Sequence, residues 1–263
     1  MKIKKPIIIG NWKLNGNKAT IYNVLHSLIH FLKEKIIDNT IVIIPPSIYL
    51  DYTHQLIHNT KIFLGGQNID INLQGAFTGD ISLVMLKDVG VHYVLLGHSE
   101  RRTYHQENNL LIAKKFKLVK DLCCIPILCI GENKEEKDHD QTKCILSKQL
   151  NIILDICGEN AFDNAIIAYE PVWSIGTGNI PNPNYIQKIH EYIKQYIQIK
   201  TQKKDKILNI SIIYGGSVNQ HNIQNILQEK DVDGVLVGGG CLKYHTFSQI
   251  IQLASSIKKY NFN

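Results

Sequence analysis

Eight short apolar runs, spaced almost evenly from one end of the chain to the other, restrict its fold more than any other feature. They are Ile7 to Gly10, Ile41 to Ile44, Ile62 to Gly65, Tyr93 to Gly97, Ile125 to Ile130, Ala165 to Tyr169, Ile210 to Tyr214 and Gly234 to Gly238. Each is rich in β-branched residues, apolar without alternation, and ends in or beside glycine or a polar residue. Unbroken apolar runs of this length belong to strands covered on both faces, the situation in parallel sheets. From first to last the mean repeat is about 32 residues, close to the ~30 that a βαβ unit needs.

Helical periodicity fills the gaps. Thr20 to Lys35 places Val24, Leu25, Leu28, Ile29 and Leu32 on one face, and Glu107 to Asp121 does so with Leu110, Leu111, Ala113, Phe116 and Leu118. Ile145 to Ile156 and Tyr185 to Ile199 are periodic in the same way. Strands alternating with helices imply parallel pairing through right-handed crossovers. Eight such units in about 250 residues is the count of a closed (β/α)8 barrel. A doubly wound open sheet is the competing architecture, but its opening glycine fingerprint is missing. No linker or low-complexity stretch interrupts the sequence, so residues 1–263 are expected to form a single barrel domain.

Composition narrows the class of partner. Lys and Arg number 29 against 23 Asp and Glu, a net charge of +6 that suits an anion. The basic runs Lys2-Ile3-Lys4-Lys5 and Lys203-Lys204 lack aromatic interleaving, and nucleic-acid-binding signatures are missing, so no nucleic-acid partner is expected. Six cysteines without a Cys-x-x-Cys pair do not make a disulfide framework. Reduced thiols are expected, with Cys124, Cys129 and Cys241 placed where oxidation could reach them. No apolar run approaches the ~20 residues of a membrane span, and no signal-peptide region precedes Gly10. The expectation is a soluble, cytoplasmic chain without membrane contact. His26/His30 and His54/His58 have helical zinc-pair spacing but no glutamate and no third ligand, so no metal is expected. The abundance of isoleucine, asparagine and lysine reads as a compositional bias of the genome.

In a (β/α)8 barrel the chemistry sits at the carboxyl ends of the strands. After the first run come Asn11 and Lys13, after the third Gln67 and Asn68, and after the fourth His98, Ser99, Glu100, Arg101 and Arg102. The sixth delivers Glu170, then Pro171-Val172-Trp173 and Gly176-Thr177-Gly178. The seventh ends in Gly215-Gly216-Ser217 and the eighth in Gly238-Gly239-Gly240. Glycine turns there let backbone N–H groups approach a phosphate. No Gly-x-x-x-x-Gly-Lys-Ser/Thr motif is present, which argues against a nucleoside triphosphate. Glu170 suits a general base, His98 an oxyanion donor or proton shuttle, and Lys13 a fixed positive charge. Glu100-Arg101-Arg102 reads as structural ion pairs or a subunit contact. Taken singly, each has a plainer reading: a tight turn, a rim salt bridge, a satisfied histidine. Taken together they fit proton abstraction beside a carbonyl on a small phosphorylated sugar.

The blocks Gly10-Asn11-Trp12-Lys13, Gly97-His98-Ser99-Glu100-Arg101-Arg102, Ala168-Tyr169-Glu170-Pro171-Val172-Trp173, Tyr214-Gly215-Gly216-Ser217-Val218 and Leu236-Val237-Gly238-Gly239 span nearly the whole chain. In this order they resemble the triosephosphate isomerase family. The resemblance implies interconversion of dihydroxyacetone phosphate and glyceraldehyde 3-phosphate, without cofactor or metal. It implies Glu170 as the base that moves the proton between neighbouring carbons. Neutral His98 polarises the carbonyl, and Asn11 and Lys13 stabilise the enediolate. Gly176, Ser217, Gly238 and Gly239 hold the phosphate through their backbone, and Glu100 supports the site from behind. Pro171 to Gly178 resembles the mobile lid that excludes water, for which this family is itself a standard worked case. Gly75-Ala76-Phe77-Thr78-Gly79 resembles the loop that docks into a partner subunit, implying a homodimer with Thr78 near the partner's Lys13. The long connection from Gly65 to Asp80, with Phe77 between glycines, suits such docking.

Two departures from the family pattern stand out. The far end of the lid, usually a lysine followed by small residues, reads Asn179-Ile180-Pro181, and Ser174 and Gly240 stand where alanine or another small residue is common. Two other functions stay open at this point. One is a barrel enzyme acting on a different sugar phosphate, which the lid and the Asn11/Lys13 pair oppose. The other is a non-catalytic binding barrel, which has no use for the base Glu170.

Overall fold

A computed structural model describes residues 3–202 and 210–257. Lys2, Lys203 and Lys204 of the two basic runs lie outside the described residues. The eight apolar runs form eight strands: β1 Ile7–Asn11, β2 Thr40–Ile44, β3 Ile62–Gly66, β4 Tyr93–Leu96, β5 Ile125–Ile130, β6 Ile166–Tyr169, β7 Ser211–Tyr214 and β8 Gly234–Val237. All pair in parallel in sequence order, and β8 closes onto β1 with Ile7 opposite Gly234. The fold is the closed (β/α)8 barrel that the repeat predicts.

The helices are α1 Lys18–Lys33, α2 Leu50–Ile57, α3 Leu83–Asp88, α4 Ser99–Tyr104 and α5 Asn109–Asp121, then α6 Lys134–Asp138, α7 Thr142–Cys157, α8 Pro183–Lys200, α9 Ile223–Gln228 and α10 Tyr244–Ser255. Asparagines start several of them. Asn17, Asn108, Asn133 and Asn182 each accept a backbone N–H in the first turn, and Pro183 follows Asn182 at a position where its missing N–H costs nothing. The asparagine-rich composition is thus put to local structural use.

The unalternating strands are explained by two apolar layers. Ile7, Ile9, Val42, Tyr93, Leu95, Ile127, Ala168 and Ile213 belong to the cluster inside the barrel. Their chain neighbours Ile8, Ile41, Ile43, Val94, Leu128, Ile167 and Ile212 pack outward among the helices. With both faces dry, every second position must be apolar on each side, and the run loses its period of two.

One helical face differs from the sequence reading. In α5 the buried residues are Ile112, Ala113, Lys115, Phe116 and Val119, while Leu110 is exposed and Leu111 and Leu118 are only half-buried. Both stripes are apolar, so periodicity alone cannot choose between them. The deciding contact is polar: Lys115 Nζ reaches Glu107 Oε1 at 2.6 Å and Asn68 Oδ1 at 3.0 Å. Orienting Lys115 inward turns Ile112 and Val119 in with it.

Candidate active site

The carboxyl ends of the strands surround a cavity of about 510 Å³. Asn11, Lys13, His98, Glu170, Gly176, Ser217, Gly238 and Gly239 all line it. These are the eight residues to which the family resemblance assigns catalysis or phosphate binding. The volume lies within the ~300–1,000 Å³ usual for small-molecule sites.

Local backbone geometry delivers each group. Lys13 sits just past β1 in the left-handed region at φ 52°, uncommon for a residue with a Cβ. Asn11 Oδ1 accepts its N–H at 3.0 Å and Gln67 donates to its carbonyl at 2.8 Å, so two side chains hold the strained turn. The Lys13 ammonium then meets Glu100 Oε1 at 2.6 Å. A Cβ placed on Gly238 lies 3.7 Å from Lys13 Cε, so the lysine stem runs beside the strand-eight turn. Asn68 lies outside this group and instead serves Lys115.

His98 caps α4, and its Nδ1 accepts the Glu100 backbone N–H at 3.2 Å. An amide can only donate, so Nδ1 carries no proton, and the proton of the neutral ring is on Nε2. Nε2 lies 3.4 Å from Glu170 Oε1. Both residues are buried, at 5% and 2% exposure, so the pair is shielded from bulk water.

Glu170 follows β6 and is locked by its own backbone, its N–H donating to Ile130 O at 2.7 Å. Its carbonyl is approached so closely by Gly131 that a Cβ there would collide with the oxygen. Only glycine allows the two strand ends to meet at that spacing. Oε2 faces the Ser99 N–H at 3.4 Å, a long contact that leaves the carboxylate free to act elsewhere.

Arg101 and Arg102 both brace the turn after β4 within the chain, and only the first does so through an ion pair. Arg101 Nε pairs with Glu107 at 2.7 Å. Arg102 binds Gly97 O, Asn109 Oδ1 and Cys129 O, fixing the base of the strand-four turn. Oxidation at the inner cysteines is not favoured by their surroundings. Cys124, Cys129 and Cys241 are buried, and burial pushes all three thiols above their usual range, with the Glu170 charge adding to the effect at Cys129.

Glu132 is a functional candidate that sequence reasoning missed, although it follows β5 at a strand end like the others. It is fully buried, and its Oε1 accepts from Trp173 Nε1 at 2.9 Å and from Tyr169 OH at 3.1 Å. Burial raises its carboxyl above the usual range, against the pull of those hydrogen bonds. Lys137 Nζ lies 3.7 Å from the centre of the Trp173 ring. The near end of the lid segment is therefore pinned at its indole. Leu236, an inward strand position, also lines the cavity and gives no sequence signal that separates it from ordinary core.

Comparison with known proteins agrees with this geometry. A profile of the family described as triosephosphate isomerase matches residues 6–254. A relative named triosephosphate isomerase from Buchnera aphidicola subsp. Cinara cedri is 49% identical over 253 residues, covering 95% of this chain and 99% of the relative. One of the same name from Blochmanniella floridana is 49% identical over 264 residues, covering 99% and 100%. Another from Baumannia cicadellinicola is 48% identical over 257 residues, covering 98% and 100%. Barrel, site geometry and relatives point the same way: the chain belongs to the triosephosphate isomerase family.

Proposed function

We propose that this chain, a single barrel domain over residues 1–263, interconverts dihydroxyacetone phosphate and glyceraldehyde 3-phosphate through an enediolate. The observation that carries the reading is the buried Glu170–His98 pair facing Lys13 in one cavity rimmed by three glycine turns. Glu170 removes the proton beside the carbonyl and returns it to the neighbouring carbon. His98 donates from Nε2 to the developing oxyanion, because the α4 amide occupies Nδ1. Lys13 and Asn11 stabilise the enediolate, and the amides of Gly176, Ser217, Gly238 and Gly239 hold the phosphate. Glu100 orients the lysine from behind.

The test is a coupled assay on the purified chain in both directions, repeated in deuterated water. The expected result is turnover of both trioses, with deuterium appearing on the carbon that Glu170 reprotonates. No turnover, or turnover without solvent exchange under any condition, overturns the reading.

We further propose a cytoplasmic homodimer. All six cysteines are free thiols, which suits a reducing compartment. Among the described residues no helix is long and apolar enough to cross a membrane. At the tip of the loop after β3, Phe77 is 46% exposed between Gly75 and Gly79, both at positive φ. A tightly turned loop holding an aromatic ring in solvent suits insertion into the partner, with Thr78 approaching the partner's Lys13. Sedimentation at micromolar concentration is expected to give a dimer for the native chain and a monomer for Phe77→Asp. A native monomer refutes the assembly.

A further inference from the structure

One residue of the lid carries a hydroxyl that does more than fill space. Ser174 is fully buried, and its Oγ lies 2.6 Å from the carbonyl of Asn179 at the far end of the same segment. It also lies 3.2 Å from Tyr214 OH at the end of β7 and 3.5 Å from the Ser217 N–H. The Ser174 carbonyl accepts from Ser217 Oγ at 2.6 Å. Within the lid, Thr177 Oγ1 donates to Trp173 O, and Asn179 N–H donates to Thr177 Oγ1.

Proton accounting gives this network a direction. A serine hydroxyl has one hydrogen, and a carbonyl can only accept, so Ser174 donates to Asn179. Tyr214 must then donate to Ser174. Burial raises the Tyr214 phenol to about 12, so it keeps its proton throughout the working range. Gly216 makes room: a Cβ there would collide with the phenol oxygen and lie 2.9 Å from Ser174 Oγ. At the far end Pro181 has no N–H, so that side of the lid offers one main-chain donor fewer. The Asn179 carbonyl is where it is held.

We propose that Ser174 is a positioning residue: its hydroxyl joins the two ends of the lid and ties them to Tyr214, fixing the shape in which Gly176 meets the phosphate. This rests on the isomerase reading above and deepens it. An alanine at the same place leaves the segment joined only through Thr177, and Tyr214 loses its acceptor. The lid then has to be ordered when substrate binds, which shows as a weaker phosphate grip and leakier closure. Leakage has a defined chemistry. The enediolate electron pair expels phosphate from the adjacent carbon, the C–O bond breaks, and an enol aldehyde leaves the site.

Ser174→Ala tests this without altering any group that touches the reacting atoms. KM is expected to rise about fivefold, the scale of one hydrogen bond, with kcat changed less than about twofold. Inorganic phosphate released per isomerisation is expected to rise by a similar factor, a readout that loss of packing alone does not move. Tyr214→Phe is expected to raise KM when Ser174 is present and to have little further effect when combined with Ser174→Ala. Wild-type KM and phosphate release in Ser174→Ala overturn the clasp, as does an equal Tyr214→Phe effect in both backgrounds. Those results leave the isomerase reading standing, whereas an inactive native chain removes that reading and the clasp together.

Discussion

Glu170→Gln is expected to lower kcat by at least the ~10²–10⁴-fold that a general base supplies, with KM little changed. Glutamine keeps the size of the carboxylate and can still accept the Ser99 N–H on its carbonyl oxygen. It cannot take a proton from carbon. Its NH2 then faces the proton on His98 Nε2, a donor against a donor, which offsets what is gained by replacing a carboxylate at 2% exposure with an amide. A melting temperature close to that of the native chain therefore separates lost chemistry from lost structure. Solvent deuterium incorporation should fall in step with kcat, since the same group carries the proton both ways. Equal turnover by the two proteins sinks the assignment of the base.

The site is legible in the sequence because the barrel places function at strand ends, and strand ends can be read from apolar runs that stop at glycine or a polar residue. Asn11, Lys13, His98 and Glu170 all follow such stops, and all four reach one cavity. What the sequence withholds depends on which side chains meet across the fold. Glu132 carries the same strand-end signal as Glu170, yet only three-dimensional placement shows that Trp173 and Tyr169 bind it. Ser174 is visible in sequence only as a departure from a small residue. Its reach to Asn179 and Tyr214 needs the turn of the lid. The face of α5 is ambiguous in sequence because Leu110 and Leu111 are as apolar as Ile112 and Val119. Hydrophobic period fixes the helix but not its rotation when two stripes compete.

The contact that settles that rotation makes the second large prediction. Lys115 is 4% exposed and Glu107 5%, and their charged atoms meet at 2.6 Å, with Arg101 adding a second donor at 2.7 Å. Burial alone raises the Glu107 carboxyl, but the hydrogen bonds from Lys115 and Arg101 outweigh it and hold the group below its usual value of 4.5. A depressed folded value means that the pair's contribution is present above pH 4.5 and fades as pH falls through the folded value. Lys115→Met removes the cation and leaves the carboxylate buried with Arg101 alone. The expected loss at neutral pH is about 3–5 kcal/mol, the cost of breaking a buried pair from one side. In the variant the lowering by Lys115 is gone, so the carboxyl takes up its proton at higher pH than in the native chain, and protonation relieves the defect. The stability gap between native chain and variant should therefore narrow as pH falls from the variant's folded value to the depressed value of the native chain. Adding Glu107→Gln to Lys115→Met should recover part of the loss at neutral pH, because no unpaired charge remains. Urea unfolding of the three proteins across that pH range, at one protein concentration so that any assembly contributes equally, measures all of this. A gap that stays constant with pH, or one below about 1 kcal/mol as for a surface pair, shows that the pair does not hold α5 in place.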